Sequence, residues 1–134
     1  MPDRILIVDD DAVMSKALMG MVKFHLPAVI VDTCESAAAA LERIADTDYD
    51  AIVSDLKMPG MDGLQLIRWL RQSRPSCSIL LVTGRADREL QLCRFGRLTG
   101  FECMQKPLDV DQFGETVQRL TSSAYHEVEN TMAG

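Results

Sequence analysis

No stretch of this 134-residue chain approaches the roughly 18–20 apolar residues that a membrane span requires. The start, Met1-Pro2-Asp3-Arg4, lacks a charged segment followed by a long apolar one, so no secretory signal is expected and the expected location is the cytoplasm. Basic charge is in deficit: 14 Lys and Arg face 20 Asp and Glu, for a net charge of −6. That balance argues against non-specific nucleic-acid binding by the domain as a whole. Cysteine is scarce, and Cys34, Cys77, Cys93 and Cys103 show no C-x-x-C or other zinc-type spacing. They are expected to be reduced thiols, mostly buried as small hydrophobes. The two histidines, His25 and His126, are isolated and read as surface or helix-end residues rather than ligands. Repeats and low-complexity tracts are missing. What remains is a chain of one domain's length whose 47% apolar content suffices for one core.

That apolar content is organised. Short runs alternate with stretches of helical spacing, which reads as five strand–helix units. Strands are expected at about Arg4–Val8, Ala28–Asp32, Ala51–Ser54, Ile79–Val82 and Glu102–Met104. The first helix carries Met14, Leu18, Met21 and Val22 on one face and ends before Pro27. The second starts near the N-cap candidate Ser36 and contains the helix-favouring run Ala37–Ala40. Pro59-Gly60 and Asp62-Gly63 punctuate a loop. A third helix follows over about Leu64–Gln72, with Leu64, Ile67 and Leu70 buried and Pro75 beyond its end. A weaker helix is expected over about Asp87–Phe95, flanked by Gly84 and Gly96. The last starts after the N-cap candidate Asp109, with Gln112 at capping-box spacing and Phe113, Val117 and Leu120 facing the core. The residues from about Ser123 are polar and aperiodic, a tail or the start of a linker.

This alternation implies a doubly wound α/β domain with a five-stranded parallel sheet. Right-handed crossovers place helices on both faces. Flavodoxin-like strand order 2-1-3-4-5 puts the ligand site at the switch point between strands 1 and 3, outside their carboxyl ends. Acids end two of the apolar runs there: Asp9, Asp10 and Asp11 follow the first, and Asp55 follows the third. Thr83 ends the fourth, and Lys106 follows the fifth. Converging carboxylates repel one another and are costly to desolvate, a cost that a hard divalent cation removes. Asp11 reads as a helix cap, whereas Asp9, Asp10 and Asp55 read as a Mg²⁺ site, with Mn²⁺ as an alternative. A carboxylate can attack phosphorus, Thr83 can donate a hydrogen bond to a phosphoryl oxygen, and Lys106 can pair with another as a point charge. Phosphoryl transfer needs little more than such positioning and electrostatics.

With these residues in hand, the chain resembles the receiver domain of two-component response regulators. The resemblance rests on Ile5-Leu6-Ile7-Val8-Asp9-Asp10-Asp11, on Ser54-Asp55-Leu56-Lys57-Met58-Pro59-Gly60-Met61-Asp62-Gly63, on Leu81-Val82-Thr83-Gly84 and on Gln105-Lys106-Pro107. It covers about Arg4 to Thr121 and leaves residues 122–134 as the tail. It implies that Asp55 accepts a phosphoryl group from a phosphohistidine on a sensor histidine kinase or phosphotransfer protein. It further implies that Asp10 ligates Mg²⁺ directly, with Asp9 helping and the Lys57 backbone carbonyl as a further ligand. Thr83 and Lys106 become the phosphoryl-binding pair, and Lys106-Pro107 a cis peptide. The implied protein is a signalling switch rather than an enzyme acting on other substrates. Its output face would be formed by the weaker helix, the last strand and the last helix, read by an unidentified downstream domain or protein. Direct nucleic-acid or membrane binding is not expected, and a phosphorylation-dependent dimer is left open.

The sequence departs from the family pattern in two places. The aromatic residue usual three positions before the lysine is Cys103, and the nearby Phe101 is expected to point to the other face. Gly84 replaces the usual alanine or serine. Arg85, Arg88, Arg94 and Arg97 crowd one region of an acidic chain, either as a solvated face or as an output surface for an acidic partner. Lys57 and Arg85, by resemblance, flank the path of hydrolytic water and are expected to slow or redirect dephosphorylation. Two other readings compete. One is a haloacid-dehalogenase-like phosphatase with Asp9 as nucleophile. The other is a degenerate receiver that acts as a non-phosphorylated binding module.

Overall fold

Ile5, Leu6, Ile7 and Val8 are consecutive and all fully buried. Successive strand residues face opposite sides, so only a strand covered on both faces can bury all four. The protein is described by a computed structural model covering residues 3–58, 60–74, 76–84 and 101–121. Its elements, in chain order, are β1 (Arg4–Val8), α1 (Ala12–His25), β2 (Ile30–Cys34), α2 (Ala37–Asp46), β3 (Ala51–Asp55), α3 (Gly63–Ser73), β4 (Ser78–Thr83), β5 (Glu102–Gln105) and α4 (Val110–Thr121). The helix expected over Asp87–Phe95, the arginines from Arg85 to Arg97 and the tail from Ser123 lie outside the described residues.

The five strands form one parallel sheet in the order β2-β1-β3-β4-β5, as the alternation predicts. Strand parity sorts the core into two layers. Leu6, Val8, Ile52, Ile79 and Leu81 pack with Ala40, Ile44, Leu66 and Leu70 of α2 and α3. Ile5, Ile7, Val53, Leu80 and Val82 pack with Leu18 and Val22 of α1 and with Phe113 and Val117 of α4. Each fully buried Val, Leu, Ile or Phe among these contributes about 1.5–3 kcal/mol before the entropy of ordering is counted. No helix among the described residues is long and apolar enough to cross a membrane.

Helix starts follow local chemistry. The Asp11 side chain accepts from the Val13 and Met14 amides, so Asp11 is the cap expected of it. Ser36 accepts from Ala39 N, and Asp109 from Gln112 N at 2.8 Å. Asp62 and Gln65 form a reciprocal capping box at the start of α3, where Asp62-Gly63 reads in sequence only as turn punctuation.

Two boundaries differ from expectation. β2 runs over Ile30–Cys34, two residues later than the apolar run suggests. It is an edge strand, mostly half-buried, so Asp32 and Thr33 can pair with β1 without being driven into the core. In α3 the buried stripe is Gly63, Leu66, Ile67 and Leu70. Leu64, expected to be buried, is only partly covered, because the stripe is phased from Gly63 rather than from Leu64. Likewise Leu120 of α4 is partly buried, while Phe113 and Val117 are fully so.

Because all strands run the same way, their carboxyl ends share one edge. The chain leaves β1 toward β2 on one side and returns to β3 on the other, so a crevice opens between the ends of β1 and β3.

Candidate functional site

Asp9 is the first residue beyond β1 and is 1% exposed. Its amide donates to Cys34 O at 3.1 Å, which ties it to the end of β2. Its Oδ1 accepts the Asp11 amide at 2.9 Å. Asp55 ends β3, half-buried, and Asp10 is exposed. One carboxylate oxygen from each of Asp9, Asp10 and Asp55 lies within 4.8 Å of the others. Lys106, at the end of β5, reaches across to place Nζ 3.4 Å from Asp55 Oδ2. Thr83, at the end of β4, is fully buried, and its carbonyl accepts the Lys106 amide at 2.8 Å. The four strand ends named in the sequence therefore do meet. Lys106-Pro107 is a cis peptide.

The electrostatics of the cluster are unbalanced. Burial raises the Asp9 carboxyl above its ordinary value, and the neighbouring Asp55 and Asp10 charges push the same way. The Asp11 amide and Lys106 oppose the rise. Three acids and one lysine at this range leave excess negative charge at a partly buried point. A hard divalent cation with oxygen ligands fits that excess, so the residues present suit a Mg²⁺ site. Lys57 lies exposed in the loop two residues past Asp55.

The loop after Asp55 is pinned from α3. Gly60 has φ +80°, a backbone conformation that glycine adopts without strain. A Cβ placed on Gly63 would stand 2.7 Å from the Asp55 carbonyl oxygen and 2.8 Å from Leu81 Cδ1. Only a glycine lets the start of α3 approach the end of β3 this closely. The pattern Asp62-x-x-Gln65 was the sequence signal for this helix start, and it was missed.

Two expectations about β5 are corrected. Phe101 and Cys103 are two residues apart, so they share a strand face, and both pack against the α2–α3 layer. Phe101 therefore does not point away from Cys103. Cys103 is also not a thiol: it is disulfide-bonded, whereas Cys34 and Cys77 are free and buried as expected. The pairing leaves no local signature, because nothing in the spacing of the four cysteines marks it.

The response regulator receiver domain profile matches residues 5–118. The chain belongs to that family. It is 30% identical over 122 residues to the DNA-binding transcriptional regulator NtrC of Escherichia coli K12, covering 88% of this chain and 24% of that protein. The receiver thus spans about a quarter of that relative's length. Among solved structures, it resembles a sensor protein from Polaromonas (31% identity, TM-score 0.77, 89% of this chain and 95% of that one). It also shares the fold of the receiver domain of a LuxO-type repressor from Vibrio parahaemolyticus (21% identity, TM-score 0.85, 100% and 99% covered). Membership of a two-component signalling family sets aside the phosphatase reading with Asp9 as nucleophile.

Proposed function

We propose that this receiver takes a phosphoryl group onto Asp55 from a phosphohistidine of a sensor histidine kinase or phosphotransfer protein, and switches an output surface in response. The observation that carries this reading is the meeting of Asp9, Asp10 and Asp55 within 4.8 Å, with Lys106 Nζ 3.4 Å from Asp55. Asp9, Asp10, Asp55 and the Lys57 backbone carbonyl would hold Mg²⁺, or Mn²⁺ in its place. The bound ion supplies neutralisation of charge on the phosphoryl oxygens and alignment for attack. An Asp55 carboxylate oxygen attacks phosphorus, the donor's N–P bond breaks, and an acyl phosphate forms. Lys106 takes one phosphoryl oxygen as an ion pair, and the Thr83 hydroxyl donates to another. Asp9 stays in place through its bonds to the Asp11 amide and the end of β2.

The receiver unit is taken as residues 4–121, with 122–134 as a tail or linker. Outside its own phosphorylation and slow dephosphorylation, no substrate is proposed for it. DNA binding is named for the NtrC relative, of which this chain covers 24%. With a net charge of −6, the receiver itself is proposed to act through proteins rather than nucleic acid or membranes.

Acetyl phosphate with Mg²⁺, read by intact mass, tests the assignment. Wild type should gain one phosphoryl group, and Asp55→Asn should gain none. Labelling that survives Asp55→Asn would overturn it. If neither Mg²⁺ nor beryllofluoride binds, the domain is a non-phosphorylated binding module instead. Size-exclusion before and after labelling reports any dimer.

A further inference from the structure

The amino-terminal edge of the sheet, opposite the edge that carries Asp55, holds a cavity of about 370 Å³. Asp50 stands just before β3 and Cys77 just before β4. These strands are parallel neighbours, so the loops that lead into them lie side by side. Main-chain bonds build both loops. The Asp50 amide donates to Arg4 O at 2.8 Å, the Ser78 amide to Asp50 O at 3.2 Å, and the Cys77 amide to Arg74 O at 3.2 Å. Arg71 Nη1 donates to Cys77 O at 2.8 Å. Backbone groups spent in this way leave the side chains to line the cavity. Its volume falls at the lower end of the roughly 300–1,000 Å³ of small-molecule sites.

Three kinds of surface meet there. Ile44 and Ile52, both buried, form an apolar wall. Arg74 brings a cation with five N–H donors. Its Nη1 donates to Ser73 O at 2.9 Å and its Nη2 to Ile44 O at 3.4 Å, which holds the guanidinium between the ends of α3 and α2. Its ion pair with Asp48 is loose, at 4.0 Å with the Asp48 side chain fully exposed, and water screens such a pair. Donors therefore remain for a planar anionic group. Asp50 brings the opposite charge. Its Oδ2 accepts the Arg4 amide at 2.7 Å, and a carboxylate has further lone pairs. Cys77, also in the lining, feels both charges. Burial pushes its thiol up to about 11, while Arg71 and Arg74 pull it down and Asp50 pushes it up. Charge selects the class of ligand. Asp48 and Asp50 outnumber Arg74 in the lining, so a phosphate or dicarboxylate would face two like charges. A molecule with one carboxylate and one ammonium meets both signs, and an apolar side chain meets the wall.

We propose that this cavity is a binding site for a small zwitterion, an α-amino acid with an apolar side chain. The carboxylate pairs with Arg74, the ammonium pairs with Asp50, and the side chain lies on Ile44 and Ile52. Binding is reversible and makes no covalent bond. The five residues of β3 separate this site from Asp55, on the order of 15 Å at about 3.3 Å per residue. The site is therefore independent of the Asp55 reading.

The probe is L-leucine, titrated into the ¹⁵N-labelled full chain. Backbone amide resonances of Asp50, Arg74 and Cys77 should shift saturably, while those of Asp10 and Asp55 stay in place. Two analogues divide the ligand. Leucinamide lacks the carboxylate, and 4-methylpentanoate lacks the ammonium. Each should bind at least about tenfold more weakly than leucine, the loss expected for one charge-assisted pair. Arg74→Gln should bind leucine and leucinamide equally, and Asp50→Asn should bind leucine and 4-methylpentanoate equally. The amide spectrum reports whether each variant is folded, and if one is not, the other decides. No saturable shift up to the solubility of leucine, shifts centred on Asp55, analogues that bind as well as leucine, or unchanged discrimination in the folded variants would each overturn the proposal.

Discussion

Asp9 and Asp11 are two positions apart and have opposite fates. Asp11 is exposed and spends its carboxylate on the first amides of α1. Asp9 is buried, holds only one of those turns' amides, and keeps its remaining lone pairs for the crevice. Burial also decides the chemistry of a second residue away from the site. Tyr49 is 8% exposed and its hydroxyl donates to Asp32 Oδ2 at 2.7 Å. Burial first, then that hydrogen bond and the Asp32 charge, push the phenol from 10.0 up to about 12. The folded state therefore keeps this proton where the unfolded chain has lost it. The stability involved is fully present below the unfolded value and is lost as pH rises toward the folded one. Denaturant midpoints measured across that alkaline window should fall more steeply for wild type than for Tyr49→Phe. The buried thiols of Cys34 and Cys77 titrate in the same direction, so the difference between the two proteins isolates the phenol. Equal slopes would show that Tyr49 ionises normally.

Between elements, α1 packs along α4, and the packing is tight at His25. His25, the last residue of α1, stacks edge-on to Phe24 and bonds Met21 O through Nδ1 at 3.1 Å. Its Nε2 lies 3.4 Å from Asp111 of α4. Its ring occupies the space a side chain would need at Gly114, where an added Cβ would fall against the ring atoms. Gly114→Ala should therefore destabilise by about 1–3 kcal/mol. In a His25→Ala background the same change should stabilise by about 1 kcal/mol, because only the helix-propensity gain remains. Urea denaturation of the four proteins gives the comparison; equal effects in both backgrounds would remove His25 from the argument. From sequence His25 reads as a surface or helix-end residue, and it is the last residue of α1, with its side chain 17% exposed. Its partners belong to a helix about ninety residues away and could not be read from its neighbours.

For the molecule as a whole, the sheet forces like charges together at one edge, and cation binding should be linked to folding. Mg²⁺ at about a hundred times its dissociation constant should add about 2.7 kcal/mol to stability. That gain should appear as a shift in thermal or urea midpoint and vanish in Asp10→Asn. A shift of the same size in the variant would mean that the ion binds elsewhere.

Much of this architecture was legible along the chain. Apolar runs of strand length, separated by amphipathic helical stretches, imply a parallel sheet. A parallel sheet with this order obliges residues at its strand ends to share an edge. That is why Asp9, Asp10, Asp55, Thr83 and Lys106 could be named from their positions after apolar runs. Periodicity and capping are local properties, carried by residues within a turn or two of each other. The remainder depended on contacts between distant segments. The polar residues of β2 were placed by pairing with β1, not by their hydropathy. Gly63 mattered because α3 starts against the end of β3. Cys103 and Phe101 share a layer with α2 and α3, and the oxidised state of Cys103 is a matter of which sulfur the fold brings to it. Sequence by itself determined the order of the described strands and which residues stand at their carboxyl ends, because those follow from local periodicity and strand polarity. Only the tertiary structure decided the distances within the site and the partners of Gly63, His25 and Cys103, because those depend on how the crossovers bring far-apart residues into contact.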